Sequence, residues 1–232
     1  SADSWKQTLR DAILLEPEHL SLYCLTLEKG TPMHIAVKKG TVPKPDDDLA
    51  ADQYLHAESE LVRNNYLQYE ISNWSKENYS CNHNLQYWKN LPYLGFGPGA
   101  HSYISGIRFS NLKSPPKYIN LSKTWESHQT DRPILQHLSD NPLIIQADAI
   151  SKKVSMAEHM FLGLRLNAGI TDREFRMIYG QNFTEIFAEQ IDHLSTSDLL
   201  CWNKNHLTLT KKGRLLANEV FLPFIHSYLN PN

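Results

Sequence analysis

Residues 82–103, NHNLQYWKNLPYLGFGPGAHSY, combine two histidines, three tyrosines and a tryptophan with three glycines, and Lys89 is the one charged side chain among them. If residues 83–88 are helical, His83 and Tyr87 lie four positions apart on one face. A neutral imidazole ligates iron, including heme iron, and aromatic rings suit the plane of a porphyrin. The same residues also fit an aromatic cluster in which His83 is only hydrogen-bonded, and both interpretations stay open.

The glycine-rich part of this stretch, LGFGPGAH at 94–101, differs from the dinucleotide-binding fingerprint in its spacing and in lacking a following helix. Small residues at the end of a strand let the backbone approach a ligand closely, and they also permit a sharp turn. Spacing alone does not decide between these two functions. Glu70, at the end of another predicted strand, is a candidate either for holding a polar group of a ligand or for pairing with Arg or Lys.

The elements that must position these residues belong to an α/β fold. Residues 1–74 are predicted to fold as αβαβ, a piece of a parallel sheet or barrel, with helices at 4–15 and 44–65 and strands at 19–30 and 66–74. The strand at 19–30 is apolar on both faces, which is typical of a covered parallel strand. Two strands do not close a barrel, so we expect strands that precede this chain. A linker helix follows at 116–127, and 128–145 has no clear period.

The last third of the chain changes character. Helices are predicted around residues 157–164, at 169–180 and at 183–200, followed by a hairpin at 201–210 around Asn-Lys-Asn and a helix at 211–225. This order suggests a winged-helix-like domain. Residues 151–232 hold 9 Lys/Arg against 8 Asp/Glu, a net charge of +1, which favours docking onto a partner domain over binding DNA.

The composition excludes several classes of protein. A net charge of −2 gives no electrostatic reason to bind nucleic acid or an anionic membrane. Cys24, Cys81 and Cys201 are too scattered for a disulfide framework or a CxxC metal site, which favours a reducing, cytoplasmic setting. No run of 18 apolar residues is long enough to cross a bilayer.

Five ordered stretches carry a resemblance to a known family: HLSLYCLTLEKGTP, YEISNW, HNLQYW, YLGFGPGAHSY and LTLTKKGRLLANEVF. From about residue 3 to 225 the chain resembles the oxygen-independent coproporphyrinogen III oxidase-like branch of the radical S-adenosylmethionine (SAM) proteins. Within that branch it is most similar to the bacterial heme chaperones, whose HNxxYW signature it contains.

The resemblance implies a fold and a division into domains. The expected fold is the C-terminal part of an incomplete (β/α)6 barrel, followed by a mainly helical, winged-helix-like domain. The expected boundaries are residues 1–112 for the barrel part, 113–150 for a linker and 151–232 for the C-terminal domain. The CxxxCxxC motif that carries a [4Fe–4S] cluster in this family is absent, so we expect this chain to be a C-terminal fragment, with a natural cluster-less paralogue as the alternative.

Site residues also follow from the resemblance. Thr26, Ala100 and His101 match positions that line the SAM pocket of the family. His83 matches the proposed heme-interacting residue, with Tyr87 and Trp88 as its candidate packing partners. No residue of this chain matches a cluster ligand, and no catalytic residue is assigned.

The function implied is that of a heme-binding chaperone of the radical SAM type, which hands heme to apo-hemoproteins, membrane-associated proteins among them. The alternative is an oxygen-independent coproporphyrinogen III oxidase, which uses a 5′-deoxyadenosyl radical for oxidative decarboxylation. This chain alone is not expected to carry out that radical chemistry. A winged-helix nucleic-acid-binding module is a weaker alternative, and the sequence leaves the oligomeric state open.

Overall fold

The computed structural model describes residues 1–124 and 133–229, which form two compact units. The first unit comprises Ser1–Asn82 with Leu166–Ala168, and the second comprises His83–Arg165 with the described part of Gly169–Asn232. Within these residues, no helix combines the length and apolar character needed to cross a membrane.

The first unit contains three helices and three strands. They are α1 (Ala2–Leu14), β1 (His19–Ser21), α2 (Pro32–Lys38), α3 (Asp47–Arg63), β2 (Leu67–Glu70) and β3 (Asn73–Ser75). The helix predicted at 44–65 is confirmed as α3. The Asp46 carboxylate caps it by accepting from the Leu49 N–H at 3.0 Å, and Asp47 and Asp48 add negative charge to its first turn.

The core of the first unit packs α1 and α3 against the small sheet. Its buried members are Leu9, Ala57, Leu61, Tyr66 and Trp74. Two large side chains reach backbone oxygens with their polar ends: the Tyr66 hydroxyl donates to Pro17 at 2.6 Å, and the Trp5 indole N–H donates to Gln53 at 3.0 Å. These bonds satisfy polar atoms that the packing removes from water.

The sheet of the first unit differs from the prediction. Its strand order is β1-β3-β2 and both pairs are antiparallel, so the parallel strand predicted over 19–30 is wrong for this structure. Only His19–Ser21 pairs in the ladder, and Tyr23 and Leu25 are 72% and 60% exposed. A continuous apolar run indicates a strand but does not specify which strand pairs with it. In this structure β1 pairs with β3, which follows the turn after Glu70.

The second unit is built from short elements. They are α4 (Asn82–Trp88), β4 (His101–Ile104), β5 (Ile107–Asn111), α5 (Pro115–Thr124), α6 (Ile134–Ser139), β6 (Ile144–Ala149), α7 (Lys152–Gly163), α8 (Asp172–Tyr179), α9 (Phe183–Ile186), α10 (Ala188–Thr196), β7 (Leu200–Asn203), β8 (His206–Leu209), α11 (Lys211–Leu215) and α12 (Ala217–Leu229). The linker helix predicted at 116–127 is present as α5, and the last three of those positions lie outside the described residues.

An antiparallel sheet, β4-β5-β6, supports the candidate site. Ser105 and Gly106 connect β4 to β5 with φ of 52° and 72°, the left-handed conformation that a tight hairpin turn requires. Strand β6 begins at Ile144, in the part of the sequence where no period was visible. It joins the sheet through its register with β5.

The C-terminal hairpin is confirmed as β7 and β8, with Lys204 at φ 57° in its turn. Two predicted helices prove to be interrupted. The helix expected at 183–200 breaks at Phe187, and the helix expected at 211–225 breaks at Leu216. The apolar period continues across the first break because Phe187 and Ile191 both pack into the core.

Candidate functional site

Helix α4 carries the HNxxYW residues. His83 and Tyr87 lie on one face, their ring centroids 4.9 Å apart in an edge-to-face arrangement. Tyr87 in turn meets Tyr93 at 4.6 Å, also edge-on. His83 is exposed, so its imidazole is accessible to a ligand and is oriented by an aromatic neighbour.

Trp88 makes different contacts from His83 and Tyr87. The guanidinium carbon of Arg165, just after α7, lies 4.2 Å from the centroid of the Trp88 ring and 5.9 Å from that of Phe221 on α12. The Trp88 Nε1 atom is buried and has no hydrogen-bond partner among the described residues. Trp88 therefore packs against the C-terminal helices, where it is placed to fix α4.

The turn after α4 is fixed by polar contacts. The Gln86 side-chain amide donates to the Pro92 carbonyl at 2.5 Å, and Asn90 takes a positive φ of 50°. The Tyr93 backbone, just after the turn, pairs with that of Tyr103 on β4 through hydrogen bonds of 2.7 and 2.9 Å.

The glycine-rich loop, residues 94–100, is held by two buried polar side chains. The Ser102 hydroxyl accepts from the Gly95 N–H at 3.0 Å, and the Asn111 amide donates to the Gly97 carbonyl at 2.9 Å. A side chain at Gly95 would come within 2.1 Å of the His101 carbonyl oxygen. The loop is thus tightly specified, and it presents Phe96 with 88% of its surface exposed.

An ion pair joins the central strand of the sheet to α7. Both Arg108 guanidinium nitrogens donate to Glu158 at 2.9 Å, and the Arg108 guanidinium also lies 5.6 Å from the Tyr103 ring centroid. The hydrogen bonds to Glu158 raise the pKa of Arg108. This bidentate geometry fixes the orientation of both partners.

The structure places five of the six predicted site residues in the second unit. Ala100 and His101 follow one another where the glycine-rich loop enters β4, while His83, Tyr87 and Trp88 share α4. Thr26 is in the first unit, exposed, in the irregular segment that follows β1. Their assignment to SAM and heme stays a prediction.

Glu70, a candidate in the sequence for binding a ligand or for pairing with Arg or Lys, takes part in a turn of the first unit. Its carboxylate is fully buried in the first unit and accepts from the Ser72 N–H at 2.8 Å and from the Asn73 side-chain amide. These bonds stabilise the turn between β2 and β3. The geometry favours a structural role at this position.

Among the described residues, the donor side chains do not form a site for an iron–sulfur cluster. Throughout residues 1–124 and 133–229, no group of three His, Cys, Asp or Glu side chains is placed to hold a metal ion. The three free cysteines lie in separate segments. The described residues therefore do not fit a [4Fe–4S] cluster.

Three residues of the second unit went unrecognised in the sequence: Phe96, Glu158 and Arg165. Phe96 lies inside the glycine-rich motif, yet the spacing of that motif does not indicate that the ring is exposed. Glu158 and Arg165 come from the seventh helix and the residues after it, far along the chain from the strands and the helix that they contact. Only pairwise information between distant positions would have revealed them.

Comparisons with known proteins agree with this architecture. Residues 150–216 match the family model described as the HemN C-terminal domain. The chain is 32% identical over 222 residues to the heme chaperone HemW of Bacillus subtilis, covering 95% of this chain and 54% of that protein. It is 43% identical over 235 residues to the mouse mitochondrial radical S-adenosyl methionine domain-containing protein 1, covering 96% of this chain and 50% of the relative.

A solved structure shows the same fold. Coproporphyrinogen III oxidase (HemN) from Escherichia coli, described as a radical SAM enzyme, aligns with a TM-score of 0.69 at 16% identity, covering 97% of this chain and 51% of that one. The sequence relatives define the class as that of the radical SAM proteins, and the solved structure shows an α/β fold corresponding to their C-terminal part. The chain belongs to the coproporphyrinogen III oxidase-like branch of that family, close to the heme chaperones. It spans about half the length of the curated relatives it matches.

Proposed function

We propose that the protein, at its full natural length, is a heme-binding chaperone of the radical SAM type and that His83 contacts the heme. The observation that carries this proposal is the exposed imidazole of His83 on α4, oriented edge-on by Tyr87 at 4.9 Å. A neutral imidazole is a common axial ligand of heme iron. Similarity of about 30% to several proteins named as heme chaperones supports the same activity.

The remaining parts of the proposal concern cofactors and partners. Membership of the radical SAM family implies a [4Fe–4S] cluster and SAM in the full-length protein, with Thr26, Ala100 and His101 as the SAM contacts of this chain. Heme is the cargo, and the acceptors are apo-hemoproteins, membrane-associated ones among them. The cytoplasm is the proposed compartment. Fluorescence microscopy of the tagged full-length protein tests this. Location in mitochondria, the compartment named for the mouse relative, would contradict it.

Hemin titration of the full-length protein tests the proposal. Difference spectra against protein without hemin isolate the Soret band from any cluster absorption. We expect the His83→Ala variant to bind hemin at least tenfold more weakly, about 1.4 kcal/mol. The matched control is His193→Ala, which removes an exposed histidine from helix α10 of the same unit.

Two results would contradict different parts of the proposal. If the wild-type protein shows no hemin-dependent Soret change, the chaperone function is wrong. Equal binding by wild type and His83→Ala would reject the role of His83 alone. Coproporphyrinogen oxidation is the second candidate, favoured by the fold shared with the E. coli oxidase, and CO₂ release by the reconstituted protein under anaerobic conditions would support it.

A further inference from the structure

Helix α4 lacks the features that would fix it by itself. It has seven residues, and none of them is buried. Isolated helices this short are marginal in water, so the position of α4 depends on contacts that its side chains make elsewhere. Two groups of contacts supply this, one from the C-terminal part of the unit and one from the turn after α4.

The contact between Arg165 and Trp88 is one anchor. The Arg165 guanidinium carbon lies over the Trp88 ring at 4.2 Å from its centroid, close enough for a cation–π interaction, and it lies 5.9 Å from the centroid of the Phe221 ring on α12. Because Phe221 is 7% exposed, this anchor reaches the core of the second unit.

A second anchor lies just beyond the helix. The Gln86 side-chain amide donates to the Pro92 carbonyl at 2.5 Å, and the Tyr93 backbone pairs with that of Tyr103 on β4 through hydrogen bonds of 2.7 and 2.9 Å. The first anchor therefore leads to the residues after α7, and the second leads to the sheet. Both act on the C-terminal end of α4 and leave His83 exposed.

The helical period separates the anchored side from the exposed side. Positions 83 and 88 are five residues apart, so they are about 140° apart around the helix at roughly 100° per residue. Tyr87, four residues after His83, stays on the histidine's face. Fixing Trp88 thus sets the direction of His83 without covering it.

We propose that Arg165 is a positioning residue for heme binding: by clamping the Trp88 indole it fixes the orientation of the α4 face that presents His83. The inference rests on the proposed heme function. It adds a residue that lies far from the HNxxYW motif in sequence and that does not itself touch the heme. A lysine ammonium at this position would keep the charge but would be more strongly hydrated and would lose the planar group that suits an aromatic face.

Hemin titration of full-length variants tests this role. We expect Arg165→Met, which keeps an apolar stem, to weaken hemin binding about tenfold, and Arg165→Lys to weaken it about threefold. Arg173→Met is the matched control, since Arg173 is an exposed arginine on α8. Hydrogen exchange should show faster exchange in α4 for Arg165→Met, with α7 and α12 unchanged.

A double-mutant cycle separates positioning from general destabilisation. If Arg165 acts through His83, Arg165→Met has no further effect on hemin affinity in a His83→Ala background. An equal loss in both backgrounds would overturn the inference, as would wild-type affinity of Arg165→Met. Should Arg165→Met not fold, Arg165→Lys in the same cycle gives the same decision.

The outcomes also separate this inference from the proposed function. A weakened His83→Ala variant together with an unaffected Arg165→Met variant leaves the function standing and rejects the clamp. If His83→Ala binds hemin as wild type does, His83 has no role, and the positioning inference is rejected together with it.

Discussion

Arg108 on β5 and Glu158 on α7 form a bidentate ion pair, with both nitrogen–oxygen distances 2.9 Å. The Glu158 side chain is 8% exposed, whereas that of Arg108 is 38% exposed. The pair therefore links the sheet that carries the glycine-rich loop to the first helix of the family-matched region.

We predict that Arg108→Met destabilises the protein by about 2 kcal/mol. Removing the arginine leaves the Glu158 charge nearly buried without its partner, although the partial exposure of Arg108 keeps the cost below the roughly 3–5 kcal/mol of a fully buried pair. Urea unfolding of the full-length protein measures the loss. The double variant Arg108→Met, Glu158→Gln should recover part of it, and a double variant less stable than both single ones would contradict this account.

The glycine-rich loop gives a prediction for two adjacent residues. Gly95→Ala places a methyl group against the His101 backbone, so we expect a stability loss of about 2 kcal/mol. Phe96→Ala removes an 88% exposed ring and should leave thermal unfolding unchanged. Differential scanning calorimetry compares the two, and the prediction is wrong if Phe96→Ala lowers the melting temperature as much as Gly95→Ala does.

The packing of Gly163 at the end of α7 predicts a coupled pair of substitutions. A Cβ at this position would lie 2.3 Å from the Cγ2 methyl of Ile170, which is 3% exposed. Gly163→Ala should therefore destabilise by about 1–3 kcal/mol, although alanine is ordinarily the better helix residue. Adding Ile170→Ala should make the alanine at 163 nearly neutral. Urea unfolding of both single variants and of the double variant measures this coupling. If the loss of stability in the double variant equals the sum of the two single losses, the contact is disproved.

His159 on α7 predicts a dependence of stability on pH. Its ring meets Phe175 at 5.4 Å and Tyr179 at 5.7 Å, and burial lowers its pKa from 6.5, an effect that Glu174 partly offsets. The folded state thus binds this proton more weakly than the unfolded state. The contribution of His159 to the free energy of unfolding is therefore fully present above pH 6.5. It is lost as the pH falls from there towards the lowered pKa of His159 in the folded state.

Urea unfolding at pH 7.5 and 5.5 measures this dependence. His159→Gln cannot titrate, so its loss of stability on acidification should be smaller than that of the wild type. His19 also has a lowered pKa, caused mainly by burial, and will leave a residual slope. A His159→Gln variant with the full wild-type slope would show that His159 does not contribute.

The parts of the fold that sequence predicted well are those whose signals are local. The helix at α3 has an acidic capped start and a regular apolar stripe, and the hairpin of β7 and β8 has a turn of Asn-Lys-Asn between alternating residues. The pairing of β1 was misassigned because an apolar strand does not encode its partner. The break at Phe187 was hidden because the apolar period runs through it.

The candidate site divides in the same way. The sequence pointed to His83 and Tyr87, since their spacing places them on one helical face. The sequence contained no signal for Arg165. A single arginine after an apolar helix has no periodicity or spacing that indicates contact with a tryptophan ring. The hydrogen bonds from Ser102 and Asn111 to the glycine-rich loop were likewise beyond pattern reasoning, since they depend on how the strands return.

The contact between the Arg165 guanidinium and the Trp88 ring has a consequence for evolution and for protein engineering. If Arg165 orients the histidine, the sequence signature of a heme-binding chaperone comprises a fifth specified position, outside the four residues that HNxxYW specifies. Relatives that change the tryptophan should change this arginine as well. Introducing HNxxYW into an oxidase would then supply the histidine without the arginine that orients it. An engineered heme-binding variant would need both the motif and the arginine.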